Sequence, residues 1–223
     1  MSYFRKCLLI EQQIVSYERV WQQQKELVQA RINNPSLDDA LILVEHYPVY
    51  TLGKAAQLDF VKFPLNSQDF TIYRTERGGE VTYHSPGQLV VYPILNLNYY
   101  KTDLHWYLRQ LEEVIIQLIS KYGLIGYRIP GLTGVWLEGY KVAAIGIKVR
   151  RWITMHGFSL NVCPDLTGFK HIVPCGISQK PVGSLVQFLP DLKIAQVRKD
   201  ILEVIAQVLS IKFLATSQFE QNS

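Results

Sequence analysis

An α+β fold with a mixed, largely antiparallel sheet is what the order of patterned segments predicts for this 223-residue chain. Two segments, 103–122 and 192–209, repeat apolar residues at helical spacing. Short β-rich runs gather between them and before them. Helix and strand patterns also fail to alternate as a doubly wound parallel sheet would require.

The first ten residues run from a few apolar side chains straight into Glu11-Gln12-Gln13, without an apolar signal core or a small-residue cleavage site. They are expected to form a first strand of a cytoplasmic protein. Tyr17, Val20, Trp21, Gln24, Leu27, Val28 and Arg31 share one helical face, and Pro35 marks the stop. The apolar run 41–44 reads as a buried strand, followed by a loop broken by Pro48, Gly53 and Pro64. Segments 70–74 and 88–95 read as strands, the second at an edge or bulge because of Pro93. In 103–122, Leu104, Leu108, Leu111, Ile115, Leu118 and Tyr122 line one face, Thr102 or Asp103 caps the start and Gly123 the end. A hairpin over 134–149 turns at Glu138-Gly139-Tyr140, and a strand follows at 158–162. The last helix places Ile194, Val197, Ile201, Val204, Ile205 and Val208 on one face. No repeat or Gly/Ser linker divides residues 1–223, which read as one domain.

Composition narrows the function classes. Hydrophobic residues make up 48 % and charged residues 19 %, and no apolar run reaches the ~18 residues of a membrane span. A formal net charge of +4 suits an acidic protein partner but is too weak to indicate nucleic acid. The short basic run 148–151 reads as a solvated strand end. Cys7, Cys163 and Cys175 form no CxxC pair, which argues against a disulfide scaffold or structural zinc. Five scattered histidines and no clustered carboxylates give no metal-site pattern. His46 reads as structural or pocket-forming rather than catalytic, His105 as structural, and His171, before the cysteine at 175, takes no catalytic assignment; His156 reads equally as a structural hydrogen bonder or an indirect contributor to a site.

Most of the chemical information lies in residues 77–92, Arg77-Gly-Gly-Glu-Val-Thr-Tyr-His-Ser-Pro-Gly-Gln-Leu-Val-Val-Tyr92. The double glycine lets a ligand approach the main chain closely. Arg77 offers a fixed cation and donor fork, and His84 a group able to titrate or donate. Gln88 can bond back into the Pro86-Gly87 turn. A Gly-Gly hairpin with a surface histidine is the plainer alternative, and the density of special residues within sixteen positions weighs against it.

This segment resembles the signature of lipoyl(octanoyl) transferases, Arg-Gly-Gly-x-x-Thr-aromatic-His-x-x-Gly-Gln-x-aliphatic-x-Tyr, without a departure. The blocks 141–151 with 156–161, the loop Pro174-Cys-Gly-Ile177, and 43–53 resemble the same family, so the likeness runs over about residues 40–180. It implies the fold of biotin and lipoate protein ligases, a mixed sheet flanked by helices. It implies Cys175 as nucleophile and Lys141 as its dyad partner. It also implies an acyl pocket lined by Arg77, Gly78, Gly79, Glu80, Val81, Thr82, Tyr83 and His84, by Ala144, Ile145 and Gly146, and by Gly157, Phe158 and Ser159. The small residues of the last two groups are expected to form a tunnel for a straight eight-carbon chain.

The implied activity is transfer of an octanoyl, or lipoyl, group from an acyl carrier protein thioester to a lipoyl-domain lysine, through a cysteine thioester. The implied acceptors are lipoyl domains of 2-oxoacid dehydrogenases and the glycine cleavage H protein. No ATP or metal is expected, and no nucleic acid or membrane partner. Three alternatives stand beside this reading: an ATP-using lipoate ligase of the same fold, a non-catalytic binder of carrier or lipoyl domains, and a thioesterase. The ligase signature typically continues from His into Asp and Asn, where this chain has Ser85-Pro86-Gly87-Gln88.

Overall fold

The apolar run at 41–44 is the middle of β2 (Asp39–His46), and every residue of that strand is buried. The computed structural model describes residues 4–173 and 181–214. In chain order its remaining elements are β1 (Arg5–Val15), α1 (Tyr17–Asn33), β3 (Val49–Leu52), β4 (Ile72–Arg74), β5 (Val81–His84), β6 (Gln88–Ile94), α2 (Leu104–Lys121), β7 (Val135–Leu137), β8 (Tyr140–Arg150), β9 (Ile153–Asn161), α3 (Ile194–Val208) and β10 (Ile211–Leu214).

Seven strands form one sheet in the order β10-β1-β2-β6-β9-β8-β7. The pairs β10–β1 and β1–β2 are parallel and the other four antiparallel, so the sheet is mixed and largely antiparallel. Period-two alternation sends Leu41 and Leu43 of β2, Leu89 and Val91 of β6, and Phe158 and Leu160 of β9 to one face. There they pack with Leu111, Ile115 and Leu118 of α2 and Val197, Ile201 and Ile205 of α3. Ala40, Ile42, Val44, Val90, Tyr92 and Ile94 take the other face under Val20 and Val28 of α1. Both faces are covered, which is why β2 is apolar without interruption. A smaller sheet, β4-β3-β5, has its own core of Tyr50, Leu52, Phe63, Val81, Tyr83, Phe169 and Ile172.

Several sequence expectations shift. The stretch after His46 is not all loop, since β3 forms at 49–52 between the breakers Pro48 and Gly53. In α2 the buried face is Tyr107, Leu111, Val114, Ile115, Leu118 and Ile119, rotated from the expected one, and Leu104 is exposed. The cap is as expected, with the Asp103 side chain accepting from the Trp106 amide.

Pro93 lies in a central strand rather than at an edge, paired with Leu41 on one side. On the other side the β6–β9 ladder ends at Val91–Phe158. Beyond that point the Pro93 carbonyl accepts from Thr154 Oγ1 (2.7 Å), and the His156 amide donates to Gln24 Oε1 of α1 (2.9 Å). The amide that proline lacks is therefore not called for, because the strand opposite bends away: His156 has φ of 60°.

Two glycines of β8–β9 answer a backbone need rather than a tunnel's width. Gly146 and Gly157 face each other in register. A Cβ on Gly157 would collide with the Val91 carbonyl, and one on Gly146 would come within 2.9 Å of the Gly78 carbonyl. Gly157→Ala is therefore expected to destabilise the protein by about 3 kcal/mol through forced strand separation. Gly123→Ala, at a helix end with open space and φ of 77°, should cost only about 1 kcal/mol of left-handed strain. Urea unfolding of the two variants compares these costs directly.

Candidate active site

A cavity of about 240 Å³ lies on the α1 side of the sheet, between the β8–β9 ladder and the segment 77–84. Of the residues singled out in the sequence, Arg77, Gly79, Glu80, Val81, Thr82, His84, Lys141, Ala144, Ile145, Gly146, Gly157, Phe158 and Ser159 line it. Gly78 and Tyr83 do not. The Gly78 amide donates to the Ile147 carbonyl (2.9 Å), pinning the loop on β8. Tyr83 turns to the other side of β5, where its ring meets Tyr50 and Phe169. Cys175 lies outside the described residues.

Sequence reasoning missed three parts of the lining: Tyr17 at the start of α1, the loop Gly131–Thr133, and His156. Pro130-Gly131 is a turn-type dipeptide, but nothing local to it indicates that the loop closes over β8. Val90 and Tyr92, both fixed places of the resembled signature, line the cavity as well.

Arg77 works mainly as a tie. Nη2 donates to the Thr51 carbonyl (2.6 Å) and Oγ1 (2.9 Å), and Nη1 donates to the Gly78 carbonyl (3.0 Å). The guanidinium thus binds β3 to the glycine loop in buried surroundings, and Ala55 and Lys54 amides donate to the Gly79 and Arg77 carbonyls from the other side.

Lys141 is buried on β8, near the turn into β7. Its Nζ stands 5.2 Å from the centroid of the Trp136 ring, and a Cβ at Gly134 would lie only 2.7 Å from its Cε. Glycine at 134 makes room for this side chain. The described chain resumes at Pro181 directly upon Lys141: the Lys141 amide donates to the Pro181 carbonyl (2.8 Å) and its carbonyl accepts from the Gly183 amide (3.0 Å).

A hydrogen-bond chain links that contact to His84. The Gly183 carbonyl accepts from Asn161 Nδ2 (2.9 Å), and Asn161 Oδ1 accepts from Gln88 Nε2 (2.8 Å). Gln88 Nε2 also donates to the Tyr83 carbonyl (3.1 Å), which fixes the amide so that Oε1 accepts from His84 Nδ1 (2.6 Å). The proton of His84 therefore sits on Nδ1, leaving Nε2 as an acceptor.

Behind His84 is a stack of aromatic rings. Tyr17 lies over His84 with centroids 5.9 Å apart and planes at 12°, and His46 meets both. His46 donates from Nδ1 to the Val15 carbonyl (2.9 Å) and accepts at Nε2 from the Tyr92 hydroxyl (2.8 Å). Burial pushes His84 down to about 3 and His46 down to about 4, so both are neutral at ordinary pH. Neither can act as a general acid through an imidazolium. Of the described thiols, Cys7 is buried and Cys163 exposed, and loss of solvation pushes both upward, away from thiolate. Among the described residues no group of three or more His, Cys, Asp or Glu could hold a metal ion.

The lipoyl protein ligase A/B catalytic domain family model matches residues 16–206. An octanoyltransferase of Nostoc punctiforme is 58 % identical over 208 residues, covering 93 % of this chain and 90 % of the relative. One of Synechocystis sp. is 54 % identical over 212 residues, covering 95 % and 93 %. Among solved structures, a putative lipoate protein ligase from T. acidophilum superimposes with a TM-score of 0.76 at 16 % identity, covering 96 % of this chain and 89 % of that one. A lipoate-protein ligase A bound with ATP gives 0.71 at 16 % identity, with coverage of 96 % and 89 %. These two show likeness of fold.

The buried histidines also set how the fold responds to acid. Their folded values lie below the ordinary 6.5, so the unfolded chain takes up protons first as pH falls. Stability contributed by neutral burial is complete above about pH 6.5 and declines towards pH 4. At pH 5 the loss should be about 2 kcal/mol for each histidine. Urea midpoints measured from pH 7 to 4 should fall accordingly, and His46→Gln should flatten that slope.

Proposed function

Because the chain belongs to the lipoyl protein ligase A/B catalytic domain family and is an acyltransferase of the octanoyltransferase kind, we propose that it takes its octanoyl group from an acyl carrier protein thioester and passes it, through Cys175, to a lipoyl-domain lysine. The observation that best supports this reading is the arrangement around Lys141. The buried amino group of Lys141 ends one side of the cavity, and the chain resuming at Pro181 lies on the backbone of Lys141.

Cys175 is two residues beyond Val173, whose amide donates to the Phe60 carbonyl (2.8 Å), and six before Pro181. A chain rising at most about 3.6 Å per residue gives the cysteine a short tether at Val173. In the proposed reaction, the Cys175 thiolate attacks the thioester carbonyl, and collapse of the tetrahedral adduct expels the carrier thiolate. Lys141, acting as the free amine, takes the thiol proton and returns it to that leaving group. The acceptor lysine amine then attacks the acyl-cysteine and gives a proton to Lys141, which passes it to the departing Cys175 sulfur as the amide forms and the thiol is restored. The first exchange is thioester for thioester, and the second gains the greater stability of an amide, so no nucleotide is needed. Val90, Tyr92 and Ala144, on the cavity's side of the sheet, give the chain an apolar wall, where each buried methylene contributes about 0.8 kcal/mol.

The partners proposed with this chemistry are octanoyl-loaded carrier protein as donor and lipoyl domains as acceptors. The proposed setting is cytoplasmic. No helix among the described residues is long and apolar enough to cross a membrane.

Brief incubation with octanoyl carrier protein, without ATP or acceptor, should add one octanoyl group to the intact protein. Cys175→Ala should give no adduct, and apo lipoyl domain should discharge the wild-type adduct. Lys141→Ala should lower transfer by about 10²- to 10⁴-fold. Modification of the lipoyl domain only with ATP and free acid, with no adduct, would overturn the thioester route in favour of ligation.

A further inference from the structure

The acyl cavity does not end against solid core. A second cavity, of about 460 Å³, lies farther along the same sheet face. Strand register places the two in series. Ala144–Ser159 and Gly146–Gly157 are the paired positions that line the first, and Lys148–Met155 and Arg150–Ile153 the pairs that line the second. The two linings share no residue. They meet back to back at two pairs of chain neighbours, with Arg77 and His156 on the first cavity, and Glu76 and Met155 on the second.

The wall between them is polar. Glu76 Oε2 accepts from the Trp21 indole of α1 (3.0 Å), and Oε1 pairs with Lys148 Nζ of β8 (3.4 Å). His156 Nε2 stands 3.9 Å from Glu76 Oε2. His156 reaches this place only through its left-handed backbone, with φ of 60° inside a strand. Met155 and Gly157 on either side already face α1 and the cavity, so ordinary alternation would send His156 to the opposite face, where Phe158 and Leu160 pack. A buried non-glycine residue held in that conformation marks a position whose side-chain direction matters.

We infer that the Glu76–His156 wall sets the upper chain length of the acyl group, by presenting a paired carboxylate where further methylenes would have to go. This rests on the acyl-transfer reading above and makes its substrate class specific. An alkyl chain entering beside Lys141 runs along the β8–β9 ladder towards Gly146 and Gly157. To pass them it must part Glu76 from Lys148 and Trp21 and leave a carboxylate against hydrocarbon. The gain from each extra buried methylene is smaller than the cost of stranding that charge. The second cavity, although roomy, stays closed to the chain.

His156→Gly removes the side chain at a backbone conformation glycine adopts without strain. Glu76→Leu removes the charge and its two partners' anchor. For wild type and both variants, kcat/KM would be measured for transfer to apo lipoyl domain from octanoyl- and dodecanoyl-loaded carrier protein. The ratio of the two cancels any shared loss of active enzyme. Each variant that folds should raise the dodecanoyl-to-octanoyl ratio at least tenfold. Wild-type transfer of octanoyl with an unmoved ratio in the folded variants overturns the wall as the length limit. Failure of the wild-type protein to transfer octanoyl from the carrier at all would instead sink the acyl-transfer reading, and this inference with it.

Discussion

The loop carrying Arg77–Gly79 packs directly on the backbone of β8 and of the 53–55 turn. The Gly78 amide donates to the Ile147 carbonyl, and the Ala55 and Lys54 amides reach the loop from the other side. Added Cβ atoms at Gly53 or Gly146 would run into the Gly79 or Gly78 carbonyl. The cavity exists because of this contact: its roof is the loop and β5, its floor the β8–β9 ladder; the Gly78–Ile147 bond joins the two, and the Arg77–Thr51 bonds tie the loop to β3. A buried guanidinium that answers carbonyls and a hydroxyl is well suited to such a tie, since its planar fork serves several acceptors at once.

That constraint explains which parts were legible in the sequence. The helices were, because α1, α2 and α3 each bury one stripe and their periodicity survives in isolation. The site segment was legible because close backbone contact demands glycine and a fixed donor within a few residues. What was hidden depends on partners distant in sequence. β10 (Ile211–Leu214) has only a short apolar run and becomes a strand by pairing with β1. Pro93 is tolerated centrally because His156 and Gln24, far along the chain, settle the neighbouring backbone groups. Tyr17 reads as one more apolar position of a helix, and only the packing of α1 brings its ring over His84.

The small residues at 144–146 and 157–159 carry a similar lesson. They were expected to shape a tunnel, and they do line the cavity. Yet the two glycines among them are required by contacts with Gly78 and Val91 carbonyls, which are backbone demands. Smallness in sequence reports that something comes close. It does not report whether the approaching group is ligand or main chain.

Polar groups at the two ends of the cavity are held in different ways, and the difference bears on what each end can do. At the Lys141 end, the bonds run through Gln88, Asn161 and Gly183 to the backbone of Lys141 itself, so the returning strand and the lysine are positioned together. The histidine in that chain is neutral and its tautomer fixed, so it orients groups without adding charge. The fold alone does not choose the chemistry, since structures described as lipoate ligases share it at 16 % identity. Relatives at 58 % and 54 % identity are octanoyltransferases, which gives the class of group transferred. A sheet face that holds an acyl chain is compatible with either a nucleotide-driven or a thioester-driven route. What distinguishes them physically is the group that meets the acyl carbonyl, and in this molecule the described groups nearest that end converge on one buried lysine.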